Sequence, residues 1–584
     1  MVRRSDIGDK TSIQADVIVL GCTLPGIVAA HKLKSKFGDT MDIMVLDLQG
    51  SDSKPLSKCN VAFTNLRDSE YDNEDICCDY TARQVLDNVA RYYLIQYAKE
   101  FKLPLPDSIV YPELDKEDSE LAIYYSPSER RSIAQSRSRH VNASPVILPT
   151  LCEDEEAPLQ KLFQYPDGNT VEFLNNVHDF EYLGFLEKFE LNQYQSFLDK
   201  CMTDLFQTSK VNVEEERNIL LYYDRTTMEQ NICETLLFST TREIMRIIVR
   251  LVCGAPANSV SLLFYLHQCY RTSSARNHLG GLNIRFREKL LGQCRKRFCA
   301  KFNQSIADIT LQSMSIKGIR TYSEQVVLET IKGETTYVCN LLAMALRPDQ
   351  LHDIQVEDRL LSKENARITK DMKPGYAKKF IIQYRENFWS RQGYSGDIFS
   401  MRGPIIWAMQ RPKLSTTGSL EKYSGLIGYL MVSDDEQDSK EAVIEQLVNM
   451  FGPEAAFPAS YRETPIADVY VPRCGDYVAL RKMTTEGSPK FLEWGALDIF
   501  ADGDVASALE AGHSAYLHLL GCLRPQAQTY DDIIVSDWPI FISENPLQKW
   551  ISQINIITGI KITAVTTALL IGVALLRYLR RKII

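Results

Sequence analysis

Two glycines and one aspartate near the N-terminus have the spacing of a dinucleotide-binding motif. Four apolar residues lead into Gly21, Gly26 follows, and Asp47 comes 21 residues after Gly26 at the end of a second apolar run. In such a strand-turn-helix-strand unit, the helix N-terminus holds a pyrophosphate and the later carboxylate accepts a ribose hydroxyl. Thr23 replaces the middle glycine of the motif, and its branched side chain takes up space that a phosphate needs. The motif alone therefore leaves two interpretations open, a nucleotide site and a βαβ unit without a ligand.

The pattern of elements along the chain predicts an interrupted α/β architecture. Apolar periodicity predicts helices across most of residues 178–300, whereas residues 112–170 look irregular. Strand patterns at 318–328, 336–345, 376–383 and 425–432 precede a last helix at 507–520. This order predicts a Rossmann-like α/β domain interrupted by an α+β substrate domain. We place the first half of the FAD-binding-like domain at 1–110 and the return to that domain at 471–525. Between them lie an irregular and helical part at 111–300 and the substrate-domain elements at 301–470. A linker at 526–554 and a C-terminal membrane anchor at 555–584 follow.

Composition limits the class of protein. The 584 residues are enough for two or three domains, and 45% hydrophobic residues is ordinary for a globular protein. A net charge of −9 argues against a nucleic-acid-binding protein. The 14 cysteines include no Cys-x-x-Cys pair, and the polar N-terminus contains no apolar signal region, so a reducing cytosolic setting is expected. His513 and His518 are not spaced to share one helix face, and no metal site is predicted.

An uncharged apolar segment near the C-terminus predicts a transmembrane helix. Residues 562–576 carry no charge, Lys561 precedes them, and a basic cluster beginning at Arg577 follows. As a helix these residues span only about 23 Å of a ~30 Å hydrocarbon core, but the span is long enough if Lys561 snorkels and the helix begins at Ile556. A buried core helix is the alternative, which the terminal position and the basic cluster disfavour. We therefore expect a tail anchor that leaves most of the protein in the cytosol.

Three further stretches occur in an order that is typical of one protein family. They are residues 249–269, residues 381–396 with Phe388-Trp389 after a strand pattern, and residues 451–458 followed by Tyr461-Arg462-Glu463. Over nearly its full length the chain resembles the flavin-containing monoamine oxidases. The resemblance implies FAD as cofactor and oxidation of a small amine by O₂ to an aldehyde and H₂O₂. It also implies a homodimer and anchoring at the cytosolic face of the mitochondrial outer membrane, with the endoplasmic reticulum membrane as the alternative.

The resemblance assigns roles to individual residues. Lys379, nine residues before Phe388, aligns with the lysine that holds a water near flavin N5, and Cys474 aligns with the cysteine that some members link to the flavin ring. The alternatives without a role at the cofactor are a strand-edge charge for Lys379 and an inert thiol for Cys474. The family's last flavin motif corresponds either to Gly495-Ala-Leu497, which lacks the acidic residue, or to Gly503-Asp504, where Asp504 would meet the ribityl chain. The catalytic candidate is thus Lys379, and the cofactor-binding candidates are Gly21, Gly26, Asp47, Cys474 and Asp504.

Other positions depart from the family pattern. Residues 48–56 contain no arginine where the family has an Arg-x-Gly-Gly-Arg turn, and Gly475 stands where the family has a tyrosine. The second tyrosine of the family's substrate cage is not found before Gly512. Each lost flavin contact costs about 1–3 kcal/mol, so a few losses could remove several orders of magnitude of affinity. Two interpretations follow: an FAD-dependent amine oxidase with an altered substrate slot, or a membrane-tethered interaction or scaffold protein that has lost the cofactor and the activity.

Overall fold

The chain forms two large β-sheets with helices between and around them. The computed structural model describes residues 3–7, 10–48, 89–103, 159–174, 180–207, 214–272, 298, 301–302, 304–306, 310–333, 335–346, 348–374, 378–410, 424–430, 439–465, 470–485, 492–493, 505–529 and 532. Asp504 and the apolar segment at 562–576 lie outside these described residues. Among the helices that are described, none is long and apolar enough to cross a membrane.

The bounds of the elements are as follows. The helices are α1 (Leu24–Phe37), α2 (Val89–Phe101), α3 (Phe185–Met202), α4 (Glu214–Arg225), α5 (Met228–Thr235), α6 (Ser239–Cys253), α7 (Leu262–Thr272), α8 (Pro348–His352), α9 (Lys363–Asp371), α10 (Phe388–Arg391), α11 (Lys440–Phe451), α12 (Tyr477–Thr485) and α13 (Val505–Leu523). The strands are β1 (Arg3–Ile7), β2 (Lys10–Leu20), β3 (Ile43–Leu48), β4 (Gln160–Gln164), β5 (Thr170–Phe173), β6 (Thr310–Met314), β7 (Ile316–Tyr322), β8 (Gln325–Thr330), β9 (Thr335–Met344), β10 (Gln355–Val356), β11 (Lys373–Pro374), β12 (Lys378–Tyr384), β13 (Tyr394–Ser400), β14 (Ile405–Gln410), β15 (Ser424–Leu430), β16 (Ser460–Pro465), β17 (Tyr470–Val471) and β18 (Leu492–Glu493).

The first sheet is built around β2, which is covered on both faces. Its strand order is β10-β7-β8-β9-β2-β3-β6, with β1 beside β2 and β18 beside β9. β2 runs parallel to both β3 and β9. Val17 and Val19 pack with α1 and α13, whereas Ile18 and Leu20 face the main core on the other side. Because a central parallel strand is buried on both faces, its sequence is a continuous apolar run. The mixed α/β fold predicted from the sequence is confirmed.

Helix α1 is held tightly between β9 and α13. A Cβ at Gly26 would lie 2.5 Å from the Cβ of Ala345, directly after β9. A Cβ at Gly512 in α13 would lie 2.5 Å from the carbonyl oxygen of Pro25 and 2.6 Å from the Cβ of Val28. Both contacts are shorter than side chains tolerate, so the two glycines are required for this close approach. The packing fixes where α1 begins relative to the sheet.

The second sheet contains seven strands between Gln160 and Pro465. Its order is β16-β12-β15-β14-β13-β4-β5, and its pairs are antiparallel except β13 with β4. β4 and the first residue of β5 fall within residues 112–170, so the prediction of an irregular segment was wrong there. The predicted strand at 318–328 is instead the hairpin of β7 and β8, which turns at Ser323 and Glu324 with φ of 45° and 69°. Neither residue is a glycine, asparagine or aspartate, which are the types that usually supply positive φ in a hairpin turn, so the usual sequence signal for such a turn was missing.

Candidate dinucleotide-binding site

Gly21 closes the carboxyl end of β2 and directs the chain into α1. Its backbone has φ of +110°, and its N–H donates to the carbonyl of Leu46 at 2.7 Å. A Cβ at this position would lie 2.0 Å from the carbonyl oxygen of Ala345. Only glycine fits, both because of the positive φ and because of the close approach of β9. The turn therefore places the start of α1 between the ends of β3 and β9, where ligands of parallel sheets bind.

The N-terminus of α1 is buried and has no side-chain cap. Leu24, Pro25 and Gly26 are all buried, and the first turn contains no acidic residue. Thr23 is the N-cap residue, but its hydroxyl donates to the carbonyl of Ala345 at 3.1 Å and does not accept from the helix. A buried helix start needs acceptors for its first N–H groups, and the helix dipole favours an anion there. The arrangement therefore fits a phosphate, to which Leu24 and Gly26 can offer N–H groups while Pro25 cannot.

Asp47 lies near the end of β3, and its carboxylate already accepts hydrogen bonds from neighbouring residues. Its carboxylate accepts hydrogen bonds from the Leu48 N–H and from the thiol of Cys22. Burial raises the pKa of Asp47 above its ordinary value. Burial and the adjacent Asp47 charge raise the pKa of Cys22, so the thiol stays protonated as a donor. Asp47 thus stands where a ribose-binding carboxylate is expected, but a ribose hydroxyl must compete with Cys22 for it.

Cys474 lies between α4 and α12. Its thiol donates to the backbone carbonyl of Asp224 at 3.2 Å, and the Gly475 N–H donates to the same oxygen at 2.7 Å. The Asp224 carboxylate in turn accepts from the N–H groups of Tyr477 and Val478 at the start of α12. Burial raises the pKa of the Cys474 thiol. The structure therefore brings Cys474 to Asp224, and its role beside a flavin stays a prediction.

Lys379 is in the interior of the second sheet. Its Cα is opposite Tyr429 of β15 on one side and Thr464 of β16 on the other. Since β12 is paired on both sides, the strand-edge alternative for Lys379 does not fit. The neighbouring Lys378 forms an ion pair with Glu463 at 3.3 Å. The role of Lys379 beside a flavin stays a prediction.

Two residues of the site were not found from the sequence. Ala345 supplies the carbonyl that receives the Thr23 hydroxyl, and its Cβ forces a glycine at position 26. Cys22 supplies the thiol that occupies Asp47. Ala345 lies more than 300 residues from α1 and reaches it because β9 is the neighbour of β2. No motif marks Ala345, and only the strand order could have pointed to it.

Comparisons with known proteins agree with this fold. No family model matches the chain. A probable flavin-containing monoamine oxidase A from Dictyostelium discoideum is 23% identical over 252 residues, which are 41% of this chain and 53% of that protein. The chain thus spans about half the length of the curated relative it matches.

Solved structures of amine oxidases share the fold over most of the chain. A putrescine oxidase variant with redesigned cofactor binding has a TM-score of 0.59 at 13% identity, covering 87% of this chain and 99% of its own. Wild-type putrescine oxidase bound to putrescine has a TM-score of 0.58 at 13% identity, and the match covers 87% of this chain and 100% of that chain. Cyclohexylamine oxidase from Brevibacterium oxydans has a TM-score of 0.55 at 15% identity, and the match covers 86% of this chain and 99% of that chain.

The fold is therefore the mixed α/β fold of FAD-dependent amine oxidases. The weak sequence relation to a flavin-containing monoamine oxidase and the shared fold together support the assignment of this chain as a divergent relative of the amine oxidases. The family predicted from the sequence is confirmed.

Proposed function

We propose that this chain is a membrane-anchored, FAD-dependent amine oxidase-like protein with an altered substrate slot. The observation that carries the proposal is the buried, uncapped N-terminus of α1 next to Asp47. A helix start in need of acceptors and a nearby carboxylate match the pyrophosphate and the ribose of a dinucleotide. When bound, FAD would supply the oxidising chemistry for removal of a hydride from an amine, with O₂ as the final acceptor.

Several residues of this chain would contact different parts of the cofactor. The N–H groups of Leu24 and Gly26 would donate to the pyrophosphate, and Asp47 would accept from the ribose once the Cys22 thiol is displaced. Lys379 would hold a water and a proton near the flavin. Amine oxidation also requires a slot that orients a neutral amine and excludes bulk water.

The altered slot is supported by the backbone at Gly475. Its φ of +93° lies in the region that favours glycine, and its N–H is bonded to Asp224. A tyrosine at this position, as the family has it, would need a strained backbone. The local backbone of this chain therefore favours glycine over a tyrosine at position 475.

The membrane anchor is proposed for residues 555–584, at the mitochondrial outer membrane and alternatively at the endoplasmic reticulum. Its support is the uncharged run at 562–576 with the basic cluster beyond it. Deletion of residues 556–584 should release the protein into the soluble fraction. Continued retention on membranes would show that another part of the chain is sufficient for anchoring.

A second candidate function is a non-enzymatic, membrane-tethered interaction or scaffold protein. It is favoured by the internal bonds of the site, because the Thr23 hydroxyl is turned to Ala345 and the Asp47 carboxylate is occupied by Cys22. These bonds could have replaced contacts that a nucleotide once made.

The visible spectrum of the full chain purified in mild detergent separates the two candidates. The oxidase proposal predicts flavin absorbance that survives gel filtration. Thr23→Asp should reduce FAD uptake at least 100-fold, because its carboxylate would cap α1 and repel the phosphate. Thr23→Asn is the matched neutral cap, and this variant should bind FAD more strongly than Thr23→Asp does. A colourless, folded wild-type protein that takes up no added FAD would rule out the oxidase proposal.

A further inference from the structure

One side of α3 exposes large apolar side chains to solvent. The exposed positions along this side, which we call the α3 face, are Phe185, Leu186, Phe189, Gln193, Ser196 and Phe197. The four apolar side chains among them are between 41% and 81% exposed. Large apolar side chains grouped on one surface of a soluble protein mark a place where another surface binds.

Charged side chains lie at the edges of the α3 face. Glu190 borders it on the side of α6, and its carboxylate accepts hydrogen bonds from the N–H of Leu237 at 2.6 Å and from the hydroxyl of Thr241 at 2.5 Å. Lys200 follows the face at the C-terminal end of α3. The exposed positions from 189 to 197 carry no charge. An occupant of the α3 face therefore has to be apolar and uncharged over about two helical turns.

Residues 562–576, which lie outside the described residues, match this surface in length and in chemistry. They carry no charge, and as a helix they span about 23 Å, whereas the α3 face is about 18 Å long. Ala564, Ala568 and Gly572 recur at every fourth position, which places small residues along one side of such a helix. A side of small residues leaves room for the phenylalanine rings of α3 at a close helix contact.

The connecting chain is long enough to bring this segment to α3. Asp532, the last described residue, is held by Lys36 of α1 at 2.6 Å and by the hydroxyl of Tyr516 in α13 at 2.9 Å. The 29 residues of 533–561 can span about 95 Å when extended. A compact protein of this length is about 65 Å across. The segment can therefore reach any side of the molecule.

We propose that residues 562–576 pack as a helix against the α3 face whenever the segment is not inserted in a bilayer. Docking removes apolar side chains of both surfaces from water, which favours the contact. Insertion into a bilayer removes the same side chains of the segment from water, so lipid and the α3 face compete for it. Only this release step rests on the proposed membrane anchor. The docking is independent of the anchor and of FAD.

Photocrosslinking in the full chain tests the docking. The protein is made by cell-free translation without membranes or detergent, with the photoreactive residue benzoylphenylalanine in place of Phe189. Irradiation should join position 189 to residues 562–576 in a product with the mass of one chain, identified by peptide mass spectrometry. The matched control carries benzoylphenylalanine in place of Phe457, which is 82% exposed outside α3, and should not react with the segment. A crosslink between two chains, or no crosslink from position 189, would overturn the proposal.

Two substitutions within the segment test the side that faces α3. Ala568→Phe should lower the crosslink yield from position 189 about tenfold, because the added ring fills the side of small residues. Leu570→Phe adds an aromatic ring on the opposite side of the same helix and should leave the yield unchanged. Both variants keep the segment apolar and uncharged. Equal yields in the two variants would contradict the packing.

Vesicles of phosphatidylcholine separate the docking from the anchor. Where the segment inserts, the crosslink within the chain should fall at least tenfold in the vesicle-bound fraction. A crosslink that persists in protein that does not bind vesicles would support the docking and argue against the anchor. A crosslink that persists in vesicle-bound protein would refute the competition between lipid and the α3 face.

Discussion

Acidification from pH 7 to pH 5 should destabilise the protein through His513. This residue is buried in α13, 4% exposed, and its Nδ1 lies 2.9 Å from the hydroxyl of Tyr97 in α2. Burial, with a smaller effect of Lys32, lowers the pKa of His513 from 6.5 to about 4. Glu100 and Asp532 are the acidic groups that act on it in the opposite direction. The imidazole is therefore neutral in the folded protein at pH 5 but charged in the unfolded chain.

The size of the effect follows from the two pKa values. Between pH 6.5 and pH 4 the unfolded state binds more protons than the folded state, so stability rises with pH in that window. Going from pH 7 to pH 5 should cost about 2 kcal/mol. The pKa of Glu100 is lowered to about 2 and that of Asp532 is also lowered, so their stabilising charges are lost only below their ordinary values of 4.5 and 3.8. They contribute little to the change above pH 5.

Urea unfolding at the two pH values, in the same detergent, measures this term. His513→Gln keeps a hydrogen-bonding group for Tyr97 but does not titrate. The wild type should therefore lose about 2 kcal/mol more than the variant between pH 7 and pH 5. Taking the difference removes the contributions of Asp47 and Asp224, whose pKa values are raised in the folded protein. An equal pH dependence in both proteins would show that His513 titrates normally and would refute the reasoning.

Three further predictions concern the packing and bonding of the site. Gly512→Ala should lower the free energy of unfolding by about 1–3 kcal/mol because its Cβ would collide with α1, whereas Gly521→Ala in the same helix meets only the flexible Gln528 side chain and should be close to neutral; equal effects in thermal unfolding would contradict the packing argument. Thr23→Val keeps the shape but removes the donor to the Ala345 carbonyl, and it should cost about 1 kcal/mol in urea unfolding; no change would mean that the bond is not formed in solution. Acid precipitation should release flavin from the wild type and from Cys474→Ser alike, because burial keeps the Cys474 thiol protonated against Asp224; flavin retained in the pellet of the wild type alone would show a covalent link.

The βαβ unit was readable because its signals are local. Val17–Leu20 is a continuous apolar run, and Gly21 needs a positive φ at the strand end, so both residues report on their immediate surroundings. The β7–β8 hairpin was missed for the opposite reason. Its turn residues Ser323 and Glu324 adopt positive φ without the residue types that usually mark such a turn.

The environments of the site residues could not be read in the same way. Whether Thr23 blocks a phosphate depends on where its hydroxyl points, and Ala345 on a distant strand decides that. Whether the Cys474 thiol is available to a flavin depends on its hydrogen bond to Asp224, which lies 250 residues earlier in the chain. Such contacts depend on strand order and helix packing, which residue spacing does not encode.

The sequence by itself therefore determined the mixed α/β fold, the resemblance to the amine oxidases and the positions of Gly21, Gly26 and Asp47 in a dinucleotide motif. These depend on periodicity and backbone requirements that act within a few residues. The tertiary structure decided that α1 begins buried and uncapped, that the Cys22 thiol is hydrogen-bonded to Asp47, and that α3 exposes large apolar side chains. Burial and hydrogen bonding are relations between segments far apart in the chain, so they exist only once the sheets and helices have packed.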